Sequence, residues 1–154
     1  MFGKKSAAAV SVLAFGAVAV GGGVASADQS TRTYRGGWTT VTDVCGPAVL
    51  TEPGVPTPVP ANGTWSLRLK RDGTGTFVFD FRDIRGTSVA GTVPATVLTR
   101  HPLTFTATYP SPYIGDFTMN STIVDHDIVA AATSLVPCDD AGHLLSPVFT
   151  GTVR

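Results

Sequence analysis

The side chains of this chain that could do chemistry are few and widely spaced. Cys45 and Cys138 stand 93 positions apart. Thiolates can hold a metal or cycle redox equivalents, but both uses want the close CxxC spacing that is missing here. An even number of cysteines in an exported chain normally pairs. The expectation is therefore one disulfide, Cys45 to Cys138, whose long loop makes the chain-entropy contribution about 4.6 kcal/mol.

The densest polar cluster is Asp125, His126 and Asp127, with Asp139, Asp140 and His143 beyond it. In an extended strand the two aspartates share one face and His126 points to the other, so the three cannot jointly grip a metal without a turn. Placed in a turn, aspartates satisfy local backbone donors. No metal and no cofactor are expected.

Templates for catalysis fare similarly. Serines and three histidines, His101, His126 and His143, are present, but no Gly-x-Ser-x-Gly elbow frames a nucleophile. Glu52 is the only glutamate, which leaves paired-carboxylate glycoside hydrolysis without its usual partners. "RDGTGT" lacks the Lys-Ser/Thr of a phosphate loop and the spaced carboxylates of a calcium loop. The chain reads as a non-enzymatic protein.

What must position these groups begins with the ends. "MFGKKSAAAVSVLAFGAVAVGGGVASADQ" places two lysines before a short apolar run and a small-residue triplet, the form of a secretory signal peptide over residues 1–27. Removing it leaves one domain over residues 28–154, with no later run apolar enough to span a membrane. The location expected is secreted, either extracellular or in the cell envelope. That domain loses Lys4 and Lys5 and keeps all 11 acidic residues, so its formal charge is slightly negative. Its single remaining lysine, Lys70, and its scattered arginines offer no phosphate-tracking face, so nucleic acid is not an expected partner. The abundance of threonine, a β-branched residue, favours strands throughout.

The most legible stretch is "GTWSLRLKRDGTGTFVFDF", residues 63–81. A two-residue Asp-Gly loop would set Phe77, Phe79 and Phe81 on the same face as Ser66, Arg68 and Lys70. A three-residue loop of Arg71, Asp72 and Gly73 instead pairs Trp65 with Phe79 and Leu67 with Phe77, with Gly73 taking the left-handed position. Burying each phenylalanine is worth about 1.5–3 kcal/mol, more than any preference between the turns. The longer loop is predicted.

Elsewhere, "TRTYRGGWTTVTDVC" reads as a strand broken at Gly36 and Gly37. Five prolines between Pro47 and Pro60 mark 46–63 as a Pro-rich surface loop. The alternation slips after Arg82, where a strand end or bulge is expected, since Asp83 continues the apolar face. "GTSVAGTVPATVLT" suggests strands interrupted at Gly91 and Pro94. Leu103, Phe105, Ala107 and Tyr109 line one strand face, and Phe117, Met119 and Ile123 another. "DIVAAATSLV" is compatible with a short helix but reads better as a strand.

The sum is an all-β fold of about eight short antiparallel strands, a small barrel or sandwich. Gly36 and Trp38 in "RGGW" resemble the Gly-x-Trp that opens the first strand of lipocalin-type barrels. That resemblance covers those residues and the strand count alone. It implies a barrel, carries over no ligand residue, and lacks the family's long C-terminal helix. Two roles are expected from this architecture. One is a barrel interior that takes a small apolar ligand against Trp65, Phe77, Phe79, Phe105 and Phe117. The other is an envelope-associated interaction module, or an inhibitor, that meets a secreted protein partner through its surface loops.

Overall fold

The computed structural model describes residues 31–110 and 116–154. The expected signal peptide lies outside the described residues. Eight strands close a barrel: β1 (Arg32–Thr42), β4 (Val59–Leu69), β5 (Thr74–Asp83), β6 (Ser88–Arg100), β7 (Leu103–Tyr109), β8 (Phe117–Val124), β9 (Asp127–Thr133) and β10 (Val148–Val153). Each pairs antiparallel with its neighbour in this order, and β1 joins both β4 and β10, which leaves a barrel and excludes a sandwich. Two short strands, β2 (Val44–Cys45) and β3 (Ala48–Val49), form a separate hairpin between β1 and β4.

The β4–β5 hairpin has the register that core segregation demands. Trp65 faces Phe79, Leu67 faces Phe77 and Leu69 faces Gly75. Lys70 N donates to Thr74 O and Gly73 N to Lys70 O, leaving Arg71, Asp72 and Gly73 as the loop, with Gly73 at φ 88°. The β5–β6 turn repeats this design. Asp83 N donates to Thr87 O, Gly86 N donates to Asp83 O, and Gly86 has φ 90°.

Three expectations of local structure are corrected. Residues 46–63 are not one surface loop: Ala48–Val49 is β3, and residues 59–63 belong to β4, where Val59 pairs with Val41 and Pro60 with Thr40. Pro60 sits where the β1–β4 register is irregular, the kind of position in a sheet that tolerates a residue with no N–H. Gly91 and Pro94 do not interrupt β6, which runs unbroken for 13 residues. The pairing with β7 starts only at Ala95, so Pro94 is paired on its β5 side alone, opposite Thr76. Gly91 makes room for the Tyr109 ring. Gly36 and Gly37 do not break β1 either, since the irregularity falls between Gly37 and Thr40.

The interior is apolar, and the outer strand faces mix polar residues with the exposed Val78, Leu98, Val124 and Val129. Phe77, Phe105, Leu67 and Ile128 are completely buried. Outward threonines pair across strands: Thr40 with Thr150 at 2.6 Å, Thr99 with Thr104 at 2.8 Å, and Thr108 with Thr118 at 3.0 Å. Such cross-strand pairs are one use of the abundant threonine.

Candidate functional site

An aromatic ladder fills the barrel. From one mouth inward, Phe81 meets Phe149 (4.9 Å between ring centres), Phe149 meets Trp38 (5.8 Å), Trp38 meets Trp65 (6.3 Å) and Trp65 meets Phe77 (6.5 Å). Phe77 then touches Phe105 (5.2 Å) and Phe79 (5.6 Å), and the ladder returns through Tyr109 to Phe117. Of the five residues expected to line a ligand cavity, Trp65, Phe77, Phe79 and Phe105 are thus packed ring against ring, 4% exposed or less. They are wall and filling at once. Trp38 Nε1, Trp65 Nε1 and Ser121 Oγ are buried among them without a hydrogen-bond partner among the described protein atoms.

Phe117 is different, for it lines a concavity at the mouth. This pocket of about 140 Å³ is bounded by Val41, Phe81, Val89, Phe117, Pro147 and Phe149, with Asp43, Asp83 and Arg85 on one edge. One wall comes from the segment after β9. Ser134 N donates to Leu145 O (2.9 Å), Ala132 N to Pro147 O (2.8 Å) and Ser146 N to Val44 O (2.7 Å). The Cys45–Cys138 disulfide, with its Cα atoms 5.8 Å apart, fastens this wall to β2. The expected crosslink is present, and a disulfide is compatible with an oxidising location.

The polar edge is tightly built. Asp83 occupies an inward position of β5, and its carboxylate is wholly covered. Its Oδ1 accepts from the amides of Arg85 (2.9 Å) and Thr87 (3.0 Å), and its Oδ2 from Arg85 Nε (2.8 Å) and Nη2 (2.5 Å). Arg85 Nη1 also donates to Asp43 Oδ2. Burial pushes the Asp83 carboxyl up. The bonds from Arg85 and Thr87, with the guanidinium charge, outweigh that and hold it below its ordinary value. Asp43 raises the Arg85 pKa by the reciprocal bond, against the cost of burial, with Asp83 adding to the effect. Two carboxylates and one guanidinium leave the edge with one net negative charge. Sequence reasoning missed this trio, although an aspartate at an apolar-facing position was its signal.

The other candidate groups separate. Asp125 and His126 form the β8–β9 turn, Asp125 with φ 51°, and Asp127 begins β9. Asp139 and His143 lie beyond the far end of β9, at the disulfide. There Asp139 Oδ1 accepts from His143 N (2.9 Å) and Oδ2 meets His143 Nδ1 (2.6 Å). These bonds lower the Asp139 pKa. Among the described residues, no three His, Cys, Asp or Glu side chains gather to hold a metal. His101 sits in the β6–β7 turn.

Fold and site together define a closed eight-stranded up-and-down barrel with an apolar mouth pocket. No family model, curated protein or solved structure matches the chain. Gly36 is where a Cβ would lie 1.6 Å from Thr152 O and 2.9 Å from the Trp65 ring, so β1 and β10 approach too closely there for any side chain. Trp38 follows on the same face and is buried.

Proposed function

We propose that this protein is a secreted binding barrel that takes a compact apolar group in its mouth pocket, with a donor or cationic head at the Asp43–Arg85–Asp83 edge. It binds and does not catalyse. The carrying observation is that one apolar concavity is walled by Phe81, Val89, Phe117 and Phe149 and edged by a fixed ion network of net negative charge. Its volume sets the ligand class. An apolar cavity of about 150 Å³ holds a single benzene-sized ring, whereas drug-sized ligands need roughly 300 Å³ or more. A single ring or a short branched alkyl group fits, and a long acyl chain or sterol does not.

The test is a titration of the disulfide-bonded protein with benzylamine and isobutylamine, followed by amide NMR. Shifts should concentrate at Val89, Phe117 and Phe149 and vanish in Val89→Trp, whose indole fills the pocket. Shifts confined to other surfaces, or unchanged in that variant, overturn the reading.

A second reading, a protein partner at the same end, is favoured by the exposed Val49, Leu50, Ile84 and Leu135 around it. Its loop is shorter than the sequence suggested, because Pro60 belongs to the barrel. Deleting residues 53–58 is the appropriate probe, and retained capture of a partner counts against the loop.

A further inference from the structure

The end of the barrel opposite the apolar mouth carries a second concavity, of about 290 Å³, and its chemistry is cationic. Arg32 from the start of β1, Lys70 and Arg71 from the β4–β5 turn, and Arg100 and His101 from the β6–β7 turn converge on it, with Tyr34 beside them. These residues lie far apart in the chain. The antiparallel pairing brings them together, since Arg32 pairs with Leu69 and Arg100 with Leu103 at the same barrel end. Leu69 and Leu103, both buried, supply apolar surface in the lining.

Three features distinguish this cluster from an ordinary solvated charge patch. No carboxylate lines it. Among the described residues, none of Arg32, Lys70, Arg71 and Arg100 forms an ion pair, the ion pairs being those of Arg82, Arg85 and His143. Asp72, on the same turn, accepts on Oδ1 from Thr74 N (2.8 Å) and Thr74 Oγ1 (2.7 Å), and these bonds, with a smaller contribution from the Lys70 charge, hold its carboxyl below the ordinary value. The other acids of this end, Asp125 in the β8–β9 turn and Asp127 at the start of β9, lie outside the lining. The cluster is also held in place. Arg100 Nη2 donates to Arg71 O (2.8 Å), and Val97 N donates to Gly73 O (2.9 Å), so the hairpin tip is tied to β6.

We propose that this end of the barrel is an anion site for a compact multivalent phosphate of the diphosphate type. Four permanent cations around one small concavity repel one another, and a ligand with several negative charges relieves all of them at once. Guanidinium forks match phosphate oxygens two at a time, which a diphosphate offers on both of its ends. The apolar surface of Leu69 and Leu103 weakens screening by water. An extended polyanion fits poorly, because the opposite end of the barrel holds Asp43, Asp83, Asp139 and Asp140. The site is independent of the apolar mouth and of the function proposed for it.

The experiment is calorimetric titration of the disulfide-bonded protein with inorganic diphosphate at low ionic strength, with sulfate as comparator. A second arm measures sedimentation with phosphatidic acid vesicles in the presence and absence of diphosphate. Saturable one-to-one binding of diphosphate, at least tenfold tighter than sulfate, is expected. Arg32→Ala and Lys70→Ala should each weaken it about tenfold, and Arg82→Ala, on the barrel flank, should not change it. Vesicle binding that diphosphate competes away identifies a lipid phosphate as a source of the anion, and diphosphate binding without vesicle binding identifies a free one. The proposal is overturned by an absence of saturable diphosphate binding, by equal effects of Arg82→Ala and Arg32→Ala, or by vesicle binding that diphosphate does not displace.

Discussion

Replacing both Cys45 and Cys138 by alanine removes a crosslink that spans most of the barrel. The bond joins residues 93 apart and encloses every strand from β3 to β9. Closing a loop of that length removes about 16 cal/mol/K from the unfolded ensemble, or about 4.6 kcal/mol at room temperature. The folded side changes less. The pocket wall keeps its backbone bonds from Ser134 to Leu145, from Leu145 to Val136 and from Ser146 to Val44. The expected loss is therefore about 3–5 kcal/mol, a large part of the stability of an ordinary domain. With a urea slope of about 1.5 kcal/mol/M, the midpoint should fall by roughly 2–3 M, and the slope should rise because the uncrosslinked chain exposes more surface. Urea unfolding followed by tryptophan fluorescence measures both, since Trp38 and Trp65 are buried. Native wild-type protein should show no reactive thiol. A midpoint shift under about 0.5 M with an unchanged slope would refute the loop-entropy reasoning.

Gly36→Ala should cost at least roughly 3 kcal/mol, because the new Cβ would overlap Thr152 O and force β1 from β10. A thermal melt within a few degrees of wild type would show that the strands do not approach as described. Asp83→Asn should destabilise the protein by about 2–4 kcal/mol at neutral pH, since Arg85 loses its charged partner and is left with Asp43. The Asp83 pKa is lowered by folding from an ordinary 3.8, so its contribution is fully present above that value and is lost as pH falls through the lower folded value. The gap between wild type and variant should accordingly be constant above about pH 5 and close in acid. A gap that widens in acid contradicts this assignment.

Much of the architecture was legible because strand periodicity is a local property. The alternation of Trp65, Leu67 and Leu69 against Phe77, Phe79 and Phe81 admits only one turn that buries all six, and the hairpin takes it. The inward faces of β7 and β8 follow from the same period of two. Threonine content and the pair of cysteines were equally readable, since neither depends on where distant segments meet. Proline and glycine misled where their meaning is set by neighbours. Pro94 is tolerated because β7 does not yet pair there, and Gly36 is required because Thr152 crosses it, and neither partner is near in the chain.

The sites belong to tertiary structure altogether. The mouth pocket joins residues from β1, β5, β6, β8 and β10 with the segment after β9, and the cationic end joins the start of β1 to two hairpin tips. Strand pattern states which way a side chain faces, and so it could place Asp83 inward and the aromatic stripe in the core. Whether that interior holds space or rings depends on how eight strands close and on how the inward side chains share the volume. Closure set Phe77 against Phe105 in the middle and left room at the apolar mouth, beside Phe117. It also brought Arg32, Lys70 and Arg100 to one end, because antiparallel pairing returns every second turn to the same rim.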